Sequence, residues 1–310
     1  MGRDGQLAGF GRGAATGGAN HALLWTPASP SGIDLHAARF TQTVASAADG
    51  TLQVGEGRPA ATDNAHALLW SGTPGSAVDL HPAAGFTTST AHGTDGAQHV
   101  GVGKTTGGHG HALLWYGTAA SLVELNPPTG FTDSVAYGTA GGQQVGSGGG
   151  GTAGNAIHAL LWTGTAASAV DLHPAGFTRT WALRTNGMQQ FGMGQVPASP
   201  GNDRGLLWTG TAASAVDLHP TDRHFRSYVL DGSGGRQVGY GVNTATGRIR
   251  ALLWSGTAAS CVDLSDALPA GGLTHSVACR ITGDTVYGFG WSASNPRYRQ
   301  VIAWTVPTLQ

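Results

Sequence analysis

The sequence predicts an all-β, seven-bladed β-propeller made of four-stranded repeats of about 45 residues. Three observations predict it. His-Ala-Leu-Leu-Trp occurs intact four times, ending at Trp25, Trp70, Trp115 and Trp162, and altered copies end at Trp208, Trp254 and Trp304. The spacings are 45, 45, 47, 46, 46 and 50, so seven copies follow one another without a gap. Each copy holds four short strand-like runs, and no segment sustains the 3.6-residue apolar period of a helix. Gly supplies 52 of 310 residues, yet 40% of the chain is hydrophobic and Gly has no three-residue period, which excludes a collagen-like or disordered chain. Seven units are read as one closed ring, hence a single domain over residues 1–310.

The elements follow in order within each repeat. Run a is typified by Phe86 to Ala91, and run b ends in an apolar-Gly-x-Gly signature such as Val54-Gly55-Glu56-Gly57 or Val100 to Gly103. Run c is the Leu-Leu-Trp segment. Its consecutive apolar positions imply burial on both faces, because a strand with one wet face alternates. Run d is Ala-Val-Asp-Leu, as at Ala77 to Leu80 and Ala169 to Leu172. Asp49-Gly50, Asp95-Gly96, Asn186-Gly187 and Asp231-Gly232 fall between a and b and predict type I′ hairpin turns. Ser71-Gly72 and Thr163-Gly164 mark a second turn between c and d. The first repeat starts at run b and the last ends at run c. Either a blade built of both termini closes the ring, with Thr305 to Gln310 supplying a short completing strand, or the chain is a fragment of something longer; closure within the chain is the expectation.

Charge narrows the function classes. Lys+Arg 16 against Asp+Glu 17 leaves a net charge of −1, which argues against a nucleic-acid partner, since phosphate binding needs a basic surface. Lys104 is the only lysine, so no polybasic membrane patch exists, and no run of 18 apolar residues would insert in a bilayer. Met1 to Gly5 opens no apolar signal segment. Gly101-Val102-Gly103-Lys104-Thr105 is not a phosphate loop, because Gln98 stands where the first Gly is required and no helix follows. His109-Gly110-His111 offers two metal ligands without a nearby third. No complete catalytic constellation is present, so neither a catalytic residue, a metal nor a cofactor is expected. Cys261 and Cys279 are expected to be free thiols.

Alternation of strands places the b–c and d–a loops on one face, and the b–c loop is the variable one, so that face is the expected binding face. Two columns converge there. The first opens run c with His21, His66, His111 and His158, continued by Arg204, Arg250 and Gln300. The second follows run d with His36, His81, Asn126, His173, His219 and Ser265. Each His is either a ligand contact or a loop anchor bonded to a backbone carbonyl. The change to Arg excludes a symmetric metal ring and suits an acidic or hydroxyl-rich ligand. The Asp column, Asp34, Asp79, Asp171, Asp217 and Asp263 with Glu124 in the third blade, is read as capping backbone N–H groups at a turn. Eleven of fifteen Arg lie at or after Arg179, with Trp181, Tyr240, Trp291 and Tyr298 at non-repeat positions. That concentration is either a sugar platform or divergence of the later copies. The candidate ligand-binding residues are thus His21, His66, His111, His158, Arg204, Arg250, Trp291, Arg297 and Tyr298.

The segments Gln53-Val54-Gly55, His66-Ala67-Leu68-Leu69-Trp70 and Asp79-Leu80 resemble the extracellular repeats named HAF after their His-Ala-Phe tripeptide. Leu replaces the Phe throughout. The resemblance covers nearly the whole chain and implies a secreted or surface-attached propeller, but no activity. The expected function is a non-catalytic binding or surface-interaction propeller whose partner is a carbohydrate or cell-surface polymer. The alternatives are a polysaccharide lyase or hydrolase acting at the ring mouth, and a structural unit of an extracellular assembly that self-associates through an incomplete blade.

Overall fold

Leu-Leu-Trp is apolar at three successive positions, and a strand holds such a run only where both faces are covered. The computed structural model describes residues 5–154, 156–197, 201–268 and 272–306, with the backbone alone of Pro30, Arg297 and Tyr298. In it Leu68, Leu113, Leu160, Leu206 and Leu252 are fully buried, as are Trp70, Trp115, Trp162, Trp208 and Trp254. Each contributes about 1.5–3 kcal/mol of burial. Every sequence repeat is one antiparallel sheet, and the protein is an all-β, seven-bladed β-propeller.

The chain divides into two compact units, Met1–Asn155 with Leu161–Ala169 and Ala156–Leu160 with Val170–Gln310. The first sheet has three strands, β1 (Leu7–Gly11), β2 (His21–Thr26) and β3 (Ser29–Asp34). The second has four: β4 (Phe40–Asp49), β5 (Leu52–Pro59), β6 (His66–Trp70) and β7 (Val78–Asp79). The third follows the same plan with β8 (Phe86–Thr94), β9 (His99–Thr105), β10 (Gly110–Trp115) and β11 (Val123–Glu124). The fourth is β12 (Asp133–Ala140), β13 (Gln143–Gly149), β14 (Ile157–Trp162) and β15 (Val170–Asp171).

The fifth comprises β16 (Arg179–Thr185), β17 (Gln190–Gln195), β18 (Asp203–Trp208) and β19 (Val216–Asp217). The sixth comprises β20 (His224–Ser233), β21 (Arg236–Asn243), β22 (Ile249–Trp254) and β23 (Val262–Asp263). The seventh has three strands, β24 (His275–Thr282), β25 (Thr285–Ser292) and β26 (Asn295–Thr305). Among the described residues the end sheets therefore lack an a and a d strand respectively. Thr305 pairs with Thr285 and so ends run c; most of the expected completing strand, residues 307–310, lies outside the described residues.

The turns depart from the type I′ expectation. At Asp95 and Asn186 the loop is four residues long, because the side-chain oxygen of each accepts two backbone N–H groups, from Ala97 and Gln98 and from Met188 and Gln189, at 2.8–3.0 Å. Only Gly96 and Gly187 take positive φ there. At Asp49-Gly50 the loop is Gly50-Thr51, and only the Gly has positive φ. Asp231-Gly232 is not a turn at all. It lies within β20 beside a bulge, and the turn is made by Gly234-Gly235, both at positive φ.

Each a strand carries one such bulge, as between Ala91 and Gly93 or Ala136 and Gly138. The Gly-x-Gly signature belongs to it. A Cβ on Gly101 would lie 1.9 Å from the Thr90 carbonyl oxygen on the paired strand, and one on Gly146 would lie 1.8 Å from that of Val135. Close approach of neighbouring sheets is not the tightest constraint on these glycines. Their tightest contact is instead within the sheet. Between c and d, the buried amides of Gln53, Gln144, Gln190 and Gln237 accept the N–H groups of Gly72, Gly164, Gly210 and Gly256 at 2.7–2.8 Å. Those glycines sit at φ 80–91°, a region L side chains avoid. Among the described residues no helix is long and apolar enough to cross a membrane.

Candidate functional site

The loop face is organised by a chain of side-chain bonds that recurs from blade to blade. In the second blade Asp79 ends strand d and uses both carboxylate oxygens. Oδ1 accepts the backbone N–H of His81 at 2.9 Å, and Oδ2 pairs with His66 Nδ1 at 2.8 Å. The His66 ring stacks on His81 with centroids 4.0 Å apart. His81 Nδ1 then pairs with Ser89 Oγ at 2.9 Å, and that oxygen accepts the buried Ala67 N–H at 2.9 Å. Ser89 lies on the a strand of the third blade, so the chain ties the end of one blade to the start of the next.

The same chain is built in the first and fourth blades. Asp34 holds His21 at 2.8 Å and Asp171 holds His158 at 2.7 Å, with His21–His36 and His158–His173 each stacked at 3.9 Å. In the third blade Glu124 holds His111 at 2.5 Å, and Asn126 accepts from Ser134 Oγ at 2.7 Å. In the fifth and sixth the cation is Arg: Arg204 pairs with Asp217, and Arg250 with Asp263 at 2.7 Å and with Asp266. The structure thus places His21, His66, His111, His158, Arg204 and Arg250 each against a carboxylate of its own blade. The first-column partner is a carboxylate; in the second column Nδ1 meets a hydroxyl, and His173 Nε2 also lies 3.1 Å from the Phe177 carbonyl oxygen, the backbone anchor expected from sequence. The Asp column does cap backbone N–H groups, and it does this and the cation clamp together.

Burial shapes the protonation of this network. Burial and the charge of His66 push His81 below the usual histidine range, and burial with the His21 charge does the same to His36. Burial alone would raise Asp34, but the bonds from His21 and the His36 backbone outweigh it and hold its carboxyl low. His219 and His173 are pushed down chiefly by burial.

Sequence reasoning missed the hydroxyl column that receives the second His. Thr43, Ser89, Ser134, Thr180, Ser227 and Ser276 are each at most 1% exposed, and each accepts a backbone N–H of the preceding blade's c strand at 2.9–3.2 Å. A signal was present, since each lies three residues after a Phe, His or Leu at the start of its a strand or two residues before it.

The seventh blade differs. Its first-column residue is Gln300, and among the described residues it has no d strand to bring an Asp. Across its three strands stand His275, Trp291 and Arg299. The His275 ring stacks on Trp291 at 4.9 Å and 13°, and the Arg299 guanidinium lies 3.8 Å from the Trp291 ring centroid. His275 on β24 and Arg299 on β26 flank β25, so they take opposite faces of the indole. Trp291 was expected from sequence as a sugar-stacking face, but both of its faces are covered. Burial and the charges of Arg248 and Arg299 hold His275 below its usual range. Arg248 and Arg299 pair with no carboxylate among the described residues. Both are exposed. The side chains of Arg297 and Tyr298 lie outside the described residues. His275 and Arg299 were not selected from sequence, because only the strand register brings them beside Trp291, and Arg248 was not selected because nothing in its spacing relates it to His275.

Two further features belong to the second unit. Tyr228 donates to Asp203, which also accepts from Gln195 Nε2 at 2.8 Å, and Tyr240 stacks on Tyr228 at 4.5 Å. Cys261 and Cys279 are unpaired, and burial pushes the Cys261 thiol up to about 12, away from nucleophilic use.

Comparison with known proteins places the fold and nothing finer. No family model matches the chain, and no curated protein matches it. Among solved structures it is similar to a puromycin hydrolase mutant complexed with PGG, at 13% identity and a TM-score of 0.61, covering 98% of this chain and 51% of that one. It is similar to a puromycin-hydrolyzing peptidase of Mycobacterium tuberculosis at 15% identity and a TM-score of 0.58, covering 94% and 49%. The β-propeller domain of the Trilobed protease from Pyrococcus furiosus, described as having an open velcro topology, matches at 11% identity and a TM-score of 0.59, covering 92% and 87%. The chain spans about half the length of the first two. What these relations define is a β-propeller.

Proposed function

We propose that the protein is a non-catalytic binding propeller that recognises a carbohydrate or cell-surface polymer through its b–c and d–a loop face. One observation carries this reading. In the first six blades the loop-face His or Arg of the first column is held by a carboxylate of its own blade, while the seventh presents an aromatic and cationic ladder with no carboxylate on it among the described residues. An exposed, ordered and unneutralised group of this kind is what a scaffold offers to a partner. The anchored residues His21, His66, His111, His158, Arg204 and Arg250 shape the rest of that face. A surface placement, which the HAF resemblance implies, suits such a ligand.

Titration calorimetry of the whole chain against a panel of neutral and acidic polysaccharides tests the reading. Saturable binding of at least one polymer without release of shortened products is expected. Binding of none withdraws the proposal, and product formation replaces it with an enzymatic one.

A further inference from the structure

Resting on that reading, we infer that the seventh blade's ladder is a carboxylate-binding subsite, and that the polymer it takes is a uronate-bearing, acidic polysaccharide. The argument begins with Trp291. Aromatic recognition of a sugar needs a free ring face, and Trp291 has His275 over one face and the Arg299 guanidinium over the other. Its use is therefore to hold Arg299. A guanidinium lying flat on an indole keeps its N–H edge directed outward while losing little entropy on binding, and that planar fork matches a carboxylate.

Charge supports the same occupant. Arg204 and Arg250, the first-column arginines of this unit, are neutralised, the one by Asp217 and the other by Asp263 with Asp266. Arg299 and Arg248 are not neutralised, and both act on His275 with the same sign. His275 is fixed by Thr274, whose Oγ1 is 2.9 Å from its Nδ1 and also accepts the Ala293 N–H at 2.7 Å. Two arginines around a stacked indole and a fixed imidazole, without a carboxylate, form a local positive site on a chain whose net charge is −1. An anion with a planar charged group, such as a uronate carboxylate, fits it.

The test titrates the full chain with polygalacturonate, dextran, dextran sulfate and poly-glutamate at two salt concentrations. Polygalacturonate is expected to bind, more weakly at high salt. Arg299→Ala and Arg248→Ala should each lower its affinity at least tenfold. Arg299→Lys, which keeps the charge but loses the fork, should lower it several-fold, as should Trp291→Leu, which removes the platform. Melting curves confirm that each variant is folded, and a Trp291→Leu variant that fails to fold leaves Arg299→Lys to decide. Equal affinity of Arg299→Ala, or tighter binding of dextran, dextran sulfate or poly-glutamate than of polygalacturonate, overturns the inference. Dextran binding that ignores Arg299 and Arg248 would do so while leaving the broader binding function intact. Failure of every polymer would remove both.

Discussion

The second and seventh blades share a strand plan but treat their loop-face polar groups in opposite ways. In the second, His66 is clamped by Asp79 and stacked on His81, and the chain of bonds ends on a buried hydroxyl that satisfies a backbone N–H. In the seventh, no d strand brings a carboxylate among the described residues, and Arg299 rests on an indole instead. The difference teaches how a repeat protein makes a site. The anchor is a set of partnered charges, and withdrawing one partner exposes the others to a ligand without altering the strands beneath.

The largest expected effect separates a column that is fully used from one with a spare partner. Ser89→Ala removes the acceptor of the buried Ala67 N–H and the partner of His81. An orphaned buried N–H costs about 1–3 kcal/mol. In Ser276→Ala the Ala251 N–H keeps a second acceptor, Ser265 Oγ at 3.0 Å, so a loss below about 1 kcal/mol is expected. Urea melts of the two variants check this. Equal losses would show that Ser265 cannot replace Ser276.

A second contrast concerns the residue that opens the a strand. Phe40 and Phe86 fill that position in the second and third blades, each against the second Gly of a Gly-x-Gly pair. In the sixth blade His224 fills it against Gly241, 2% exposed, with both ring nitrogens buried and unpartnered among the described residues. Burial pushes its pKa down, opposed by Asp263 and Asp222 and assisted by Arg223 and Arg250. The sign follows: the folded chain holds the neutral ring, so stability is full above the unfolded value of about 6.5 and falls as pH drops below it. His224→Phe should therefore stabilise by about 1 kcal/mol at pH 8 and by more at pH 5. Thermal melts at both pH values measure it. A variant less stable than the parent at pH 5 would contradict this account.

The fold was legible because repetition exposes what a single strand hides. Seven Trp at near-constant spacing located the sheets, and the apolar run before each one signalled burial on both faces. The Asp-Gly dipeptides misled because Asp95 and Asn186 bond their own loop, and because the bulge carries Asp231-Gly232 into β20. The site was half legible. Residues of one column could be named, but pairing across columns could not. Asp79 meets His66 through the register of Leu68 with Asp79, and Arg299 meets Trp291 through the shift between Gly290 and Ser292. Spacing in sequence does not contain either register.

The smallest effect uses one blade as the design for another. His81 in the second blade and Asn126 in the third occupy the same position, and both bond the hydroxyl column, at 2.9 Å to Ser89 and 2.7 Å to Ser134. Asn has no charge to gain, whereas His81 is held neutral by burial and by its stacking on His66. The parent therefore loses stability as pH falls below about 6.5, because the unfolded His81 takes up a proton that the folded one resists. His81→Asn should change stability by only a few tenths of a kcal/mol at pH 8, since it exchanges one hydrogen bond for another and loses a ring contact. Its melting temperature should then fall less steeply than the parent's between pH 7 and pH 5, so that the two curves converge or cross. Parallel curves would mean that the stacked pair carries no proton linkage, and that the repeated His are anchors by shape alone.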